Sequence, residues 1–138
     1  MAFRDRLGAV DADTLRTLVL GDLLVLAAFI VAGEHHHGFP LTEVPGRVAL
    51  VALPFLLGWL AFGSLFGAYS RGILDAPGAL LATTLLGWTA ADAFGQLLRG
   101  TEALPGNADP VFFAVMFGVG TLALLGWRGA RLLVRRRT

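Results

Sequence analysis

Four long apolar runs, separated by polar segments, dominate the hydrophobic pattern of this chain. The runs cover residues 15–33, 48–69, 78–98 and 111–131. A bilayer core of about 30 Å is crossed by roughly 20 helical residues. The second and third runs have that length directly. The first and the fourth reach it if Arg16 and Arg128, respectively, extend to the interface. The pattern predicts an all-α bundle of four transmembrane helices, in one domain that covers residues 1–138.

The segments between the runs carry capping and turn residues. Asp13 precedes the first run and is expected to cap its helix. Residues 34–47 and 70–77 are predicted loops, and Pro-Gly-Asn at 105–107 is typical of a turn before Pro110 begins the last helix. Pro54 lies inside the second run and is expected to kink that helix. A cleaved signal peptide is the alternative interpretation of the first run, but acidic residues precede it and no small-residue cleavage site follows it.

Composition supports a lipid environment and narrows the chemistry. Hydrophobic residues make up 56% of the 138 residues and charged residues only 15%, with a mean hydropathy of +0.71, whereas soluble domains carry about 25% charged residues. Cysteine is absent and all eleven basic residues are arginine. Disulfides, thiolate metal sites and lysine Schiff bases are therefore excluded. Because the motifs of nucleotide-binding loops, serine hydrolases and zinc proteases are also absent, we expect no enzyme activity and no cofactor.

The arginines are distributed unequally between the two ends of the predicted bundle. The end that holds both termini and the loop 70–77 has nine, namely Arg4, Arg6, Arg16, Arg71, Arg128, Arg131, Arg135, Arg136 and Arg137. The opposite end has Arg47 and Arg99. Positive charge accumulates on the cytoplasmic side of membrane proteins, so both termini are predicted to be cytoplasmic, in the cell membrane. The arginine-rich tail is expected to contact anionic lipids and not nucleic acid, and Tyr69 and Trp127 at that end are typical of interfacial aromatics.

Two acids, Asp22 and Asp92, interrupt the apolar runs. A charged side chain within hydrocarbon costs about 2.5–3.5 kcal/mol even on insertion scales, so such residues are functional candidates. The alternative is a structural acid that is hydrogen-bonded to threonine, serine or tryptophan. From their helical positions, the two carboxylates are expected to lie about 15 Å apart along the membrane normal. They are therefore two positions on a polar path or two unrelated sites, and not an acid pair.

The third run carries a polar face. Trp88, Thr89, Asp92, Gln96 and Arg99 share it by spacings of three and four residues. This face is the strongest candidate site in the chain.

Three consecutive histidines, His35 to His37, follow the first run. Neighbouring histidines point in different directions and converge poorly on one metal ion, so we expect a solvated loop and no metal. His37, near the outer mouth of the bundle, is a candidate for a proton-titrating role.

Small residues form stripes on two helices. Gly87, Ala91 and Gly95 recur at every fourth position of the third run, and Ala114, Gly118 and Thr121 form a shorter stripe on the fourth. Such stripes let membrane helices approach closely. We interpret both as faces packed within the bundle, and a homo-oligomer interface fits them equally well.

Short motifs follow one another along the chain in a specific order. They are Asp22; Gly33, His37 and Gly38; Pro54, Phe55, Leu56, Gly58 and Trp59; Gly95, Leu98 and Arg99; and the closing run 124–128. In this order and spacing the chain resembles the small prokaryotic membrane proteins of domain-of-unknown-function family 3054. The resemblance implies a four-helix membrane fold and no assigned activity. It includes no acid at the position of Asp92, so it favours Asp22, His37 and Arg99 as site residues.

Our leading functional expectation is a small transporter or channel for a proton, an ion or a small solute. Because four helices enclose little room by themselves, we expect it to form a homo-oligomer. The alternative is a non-catalytic accessory or assembly subunit of a larger membrane complex, which small size and small-residue stripes favour. An intramembrane enzyme is least supported, because the two acids are too far apart to act together.

Overall fold

The computed structural model describes residues 10–101, 104 and 109–137. Within these ranges the chain is helical and contains no strand. The predicted turn at 105–107 and the arginines Arg4 and Arg6 lie outside the described residues. The four long helices are α1 (Ala12–His36), α2 (Pro45–Gly58), α3 (Pro77–Arg99) and α4 (Pro110–Arg137). A π-helical turn, Trp59–Gly63, extends α2, and a short 3-10 turn, Ile73–Asp75, precedes α3.

Three of the four helices are long and apolar enough to cross a membrane. They are α1, α2 together with its π-helical turn, and α4. The 23 residues of α3 provide a sufficient length, but the polar Thr84, Asp92 and Gln96 among many small residues make it less apolar. All three polar side chains are buried. The lower hydropathy of α3 therefore reflects polar groups that face the bundle interior and not lipid.

The helices form a ring in which α1 and α3 each contact both α2 and α4. The Asp22 end of the bundle holds the start of α1, the segment 64–76 and the end of α4. The Arg99 end holds the end of α1, the start of α2, the end of α3 and the start of α4. Each end has its own polar cluster, and an aromatic core separates the two clusters.

Bulky aromatic side chains fill the core against glycines of neighbouring helices. Trp88 and Phe55 are fully buried. A Cβ added at Gly95 would lie 2.4 Å from the ring of Phe55, and one at Gly120 would lie 2.3 Å from the ring of Trp88. Trp88 Nε1 donates a hydrogen bond to the carbonyl of Met116 at 2.9 Å. The small residues therefore create the space that the rings occupy, and α3 is held close to both α2 and α4.

The two small-residue stripes differ in their surroundings. Gly87, Ala91 and Gly95 on α3 are buried. On α4, by contrast, Ala114 is exposed and a Cβ at Gly118 would meet open space. The interpretation of the α4 stripe as a face packed within the bundle is therefore wrong for Ala114 and Gly118, whereas Thr121 is half-buried and its hydroxyl oxygen is buried. The buried face of α4 instead consists of Met116, Gly120, Leu124, Arg128 and Leu132. Of the glycines on this helix, Gly120 is the one that lies against the ring of Trp88.

Local signals at the helix ends were partly misread. The cap of α1 is Asp11 and not Asp13: Asp11 accepts hydrogen bonds from the backbone N–H and the hydroxyl of Thr14, at 3.1 and 2.7 Å. These bonds hold the pKa of the Asp11 carboxyl below its ordinary value. His35 and His36 belong to the last turn of α1 and not to a loop.

The second apolar run does not continue as one helix to residue 69. Pro54 lies buried inside α2, and the π-helical turn begins five residues later at Trp59. Gly67 then adopts a left-handed backbone, with a φ of 92°, which glycine adopts without steric cost. This turn directs the following residues, Ala68 and Tyr69, back into the bundle, where both are buried.

Candidate functional site

A closed ion pair lies at the Asp22 end. Asp22 on α1 and Arg128 on α4 both have no exposed surface. Arg128 Nε donates to Asp22 Oδ1 at 2.9 Å, and Arg128 Nη2 donates to Asp22 Oδ2 at 2.7 Å. This paired geometry is the strongest that an arginine and a carboxylate form. The contact ties the first and last helices of the bundle together.

Three further groups complete the network around this pair. The hydroxyl of Tyr69 donates to Asp22 Oδ2. Trp59 Nε1 donates to the Tyr69 hydroxyl at 2.8 Å and also lies 3.3 Å from Asp22 Oδ2. Arg128 Nη1 donates to the carbonyl of Ala68 at 2.9 Å. Both carboxylate oxygens and all three guanidinium nitrogens therefore have partners, which a buried ion pair requires if it is to offset the cost of leaving water.

Aromatic side chains surround the ion pair of Asp22 and Arg128. Arg128 lies 5.2 Å from the ring centroid of Trp59 and 5.0 Å from that of Tyr69, so two aromatic rings enclose the guanidinium. Gly21, beside Asp22, provides space for another ring, since a Cβ there would lie 1.9 Å from Trp127. Large side chains thereby exclude other groups from the pair.

The sequence-based expectations for Arg128 and Tyr69 are therefore wrong. Arg128 was expected to extend to the interface and Tyr69 to lie there, yet the structure buries both in the network. The only signal in the sequence was that Asp22 and Arg128 are charges of opposite sign that lie inside the first and last apolar runs, towards the same end of the predicted bundle. The two residues are 106 positions apart, so no local pattern links them.

A second polar cluster lies at the Arg99 end, on the buried face of α3. Asp92 has no exposed surface. Its Oδ1 accepts a long hydrogen bond from Gln96 Nε2 at 3.4 Å. Within the described part of the chain, Asp92 Oδ2 and Gln96 Oε1 have no hydrogen-bond partner although both are buried. This cluster, unlike the network at the other end, has unused hydrogen-bonding capacity.

Arg99 continues the same face one turn further on. Its guanidinium carbon lies 3.8 Å from the ring centroid of Phe112 on α4, and only 9% of the residue is exposed. Its Nε and Nη1 are buried and lack hydrogen-bond partners among the described residues. Glu34 of α1 is not such a partner, because it is paired with Arg47 at 3.4 Å.

A cavity of about 250 Å³ opens beside this cluster, between α1 and α4. Its walls are mainly apolar and include Phe29, Val51, Phe112 and Met116, while Glu34, His37 and Asp109 contribute polar groups. Phe112 links the cavity to the cluster, because its ring lines the cavity and also covers Arg99.

The structure thus divides the predicted site residues into separate groups. Asp92, Gln96 and Arg99 lie together, and His37 is exposed and lines the neighbouring cavity. Asp22 belongs to the other end and shares no partner with Asp92 in the described contacts. Thr89 was predicted to share the polar face but is exposed and donates to the carbonyl of Leu85.

Metal coordination finds no support in the described part of the chain, where no three histidine, aspartate or glutamate side chains are grouped as ligands. Reasoning from the sequence also missed Glu34 and Phe112 as neighbours of the second cluster. Their positions at the start or end of an apolar run were the only signal.

One comparison with known proteins gives a match. A family model described as "Protein of unknown function (DUF3054)" matches residues 19–131, which include both polar clusters. No curated protein and no solved structure matches the chain.

Proposed function

This chain belongs to the DUF3054 family of proteins of unknown function, and on that premise we propose that it is a small membrane transporter or channel for a proton, an ion or a small solute. The observation that carries the proposal is the unsatisfied polar cluster of Asp92, Gln96 and Arg99 beside an open cavity. A polar group buried without a partner costs free energy. A site that exchanges a solute must leave such groups available.

The contrast with Asp22 supports this assignment. Asp22 accepts hydrogen bonds from arginine, tyrosine and tryptophan and has no exposed surface, so the network leaves it no room for a transported species. We assign Asp22 and Arg128 a structural role. Asp92 is equally buried but has no cationic partner among the described residues, and an ionised carboxylate in that setting needs a proton or a cation to balance it.

The test is solute flux in proteoliposomes that contain the purified protein. Asp92→Asn keeps the size of the side chain and removes its capacity to ionise. We expect it to lower the flux of the transported species at least about tenfold, which corresponds to about 1.4 kcal/mol. Asp75→Asn is the matched control, because Asp75 is an acid with a 65% exposed side chain at the other end of the bundle.

The flux of the variants relative to wild type decides the proposal. A flux that falls in Asp92→Asn and not in Asp75→Asn supports the proposal. A flux that is equal in wild type, Asp92→Asn and Gln96→Leu for every solute that wild type moves would contradict it.

The membrane placement forms part of the same proposal. We place both termini on the cytoplasmic side of the cell membrane, because arginines accumulate at the Asp22 end. The exposed tail Arg135, Arg136 and Arg137 supports this orientation through attraction to anionic lipid headgroups.

An accessory subunit is the second candidate function. One observation favours it: on the α4 face around Ala114 and Gly118, Ala114 is exposed and no described residue lies within 4 Å of a Cβ built at Gly118. A partner helix or a second copy of this chain fits such a face. Purification in a mild detergent separates the possibilities, since a different protein retained at equal stoichiometry supports the accessory role, and a homo-oligomer supports the transporter.

A further inference from the structure

We propose that Arg99 is an anion-binding residue and that its ligand is a carboxylate with a short alkyl tail, whose head binds the guanidinium and whose tail enters the neighbouring cavity. This inference names the substrate class of the proposed transport site and so rests on the proposed function. It stands on three features of the Arg99 end: unused donors, an apolar cavity and the disposition of the nearby charges.

The donors of Arg99 are oriented but unused. Stacking on Phe112 at 3.8 Å holds the plane of the guanidinium. Nε and Nη1 are buried without partners in the described part of the chain. A planar guanidinium with free N–H groups binds carboxylates through two parallel hydrogen bonds.

The other deeply buried arginine shows what is missing. Arg128 has a carboxylate partner on two of its nitrogens and a carbonyl on the third. Arg99 is almost as deeply buried, with 9% exposed, but has no acid within ion-pair distance among the described residues. A bound carboxylate would supply at Arg99 what Asp22 supplies at Arg128.

The charges around Arg99 already have other partners. Glu34 is paired with Arg47. Asp109 accepts a hydrogen bond from the backbone N–H of Val111 at 2.8 Å and caps the start of α4. Asp92 lies two turns away along α3, where Gln96 contacts it. Arg99 is therefore the charged group of this cluster whose donors are available to a ligand.

The cavity selects for an apolar tail. Its volume of about 250 Å³ is bounded mainly by apolar side chains such as Phe29, Val51 and Met116. Phe112 lies at the junction, since it lines the cavity and also covers Arg99. A ligand with a charged head and a short alkyl chain matches this division, whereas an inorganic anion leaves the apolar part unfilled.

The test is equilibrium binding of radiolabelled hexanoate to the full-length protein in nanodiscs of phosphatidylcholine. We expect saturable binding that Arg99→Gln weakens about tenfold to a hundredfold, the range for losing charge-assisted hydrogen bonds. Arg99→Lys keeps the charge without the paired geometry and should bind with intermediate affinity. Arg136→Gln is the control, because it removes a positive charge from the exposed tail of α4, away from Arg99 and the cavity, and it should leave binding unchanged.

Competitors identify the head, the tail and the source of the ligand. Hexanol and phosphate should compete poorly, since one lacks the charge and the other the tail. If oleate competes and butyrate does not, the ligand is a membrane fatty acid. If butyrate competes, the ligand is a water-soluble acid. Both results agree with carboxylate binding at Arg99. Absence of saturable binding, equal affinity in folded Arg99→Gln, or competition by hexanol as strong as by hexanoate would overturn the inference.

The outcomes separate this inference from the proposed function. Hexanoate binding that depends on Arg99, without any solute flux, supports the site and removes the transport role. Flux of another solute that depends on Asp92, without hexanoate binding, supports transport and removes the carboxylate. Thermal unfolding of each variant in the same nanodiscs checks that Arg99→Gln remains folded. If Arg99→Gln does not fold, the weaker hexanoate binding expected of Arg99→Lys is the test.

Discussion

Replacing Arg128 with glutamine tests the ion pair that links α1 and α4. Arg128 donates two hydrogen bonds to Asp22 and one to the carbonyl of Ala68, all without exposure to solvent. The substitution leaves Asp22 as a buried carboxylate with only Tyr69 and Trp59 as donors. Removing one partner of a buried ion pair costs about 3–5 kcal/mol, and we expect the free energy of unfolding to fall by that amount.

The magnitude distinguishes an uncompensated charge from ordinary polar contacts. An interhelical hydrogen bond in a membrane protein contributes about 0.6 kcal/mol on average, so the loss of three ordinary bonds costs about 2 kcal/mol. A larger loss requires the charge left on Asp22. The double variant Asp22→Asn with Arg128→Gln removes that charge, and it should be less destabilised than Arg128→Gln alone.

The assay is equilibrium unfolding by sodium dodecyl sulfate in mixed micelles, followed by helical circular dichroism. Arg136→Gln is the control, because Arg136 lies in the exposed tail of the same helix. The reasoning is refuted if Arg128→Gln lowers the unfolding free energy by less than about 2 kcal/mol, or if the two single substitutions add without coupling.

Three other predictions follow from the packing and the proposed topology. Tyr69→Phe removes the hydroxyl that links the indole N–H to the buried carboxylate, and unfolding in the same assay should show a loss of about 1–3 kcal/mol; an unchanged stability would count against the network. Gly120→Ala forces a Cβ to within 2.3 Å of the Trp88 ring and should lower the free energy of unfolding by about 1–3 kcal/mol through overpacking. Gly126→Ala, where a Cβ meets open space, should lower it less. Equal losses would contradict the packing. The chain has no cysteine, so single cysteines can report the orientation. Thr42→Cys should react with an impermeant maleimide on intact cells, and a cysteine appended to the C-terminus should not. Labelling of the C-terminal cysteine but not of Thr42→Cys would overturn the proposed orientation.

The helices were largely predictable because their signal is local. An apolar run of bilayer length predicts a helix wherever it occurs. The first helix extends three residues beyond its predicted run at each end, and α4 extends one residue before and six residues beyond its run. The second run was less predictable. Its helix gives way to the left-handed turn at Gly67, after which Tyr69 contacts Asp22. The hydropathy of residues 64–69 does not indicate this turn.

The candidate sites were predictable only where one helix carries the whole pattern. Asp92, Gln96 and Arg99 are three and four residues apart, so helical geometry alone places them on one face. The family resemblance favoured Asp22 as a site residue, but the sequence did not show which groups surround it. Its partners come from α4 and from the turn after α2, and no spacing along the chain encodes that contact.

The sequence by itself determined the helices, the membrane-compatible hydropathy of three of them, the two intramembrane acids and the family. These properties depend on residues within one or two helical turns of each other, or on composition. Only the tertiary structure decided which acid is satisfied and which is not. Two carboxylates that both lie within apolar runs differ because Arg128 reaches Asp22 across the bundle, while no described cation is paired with Asp92.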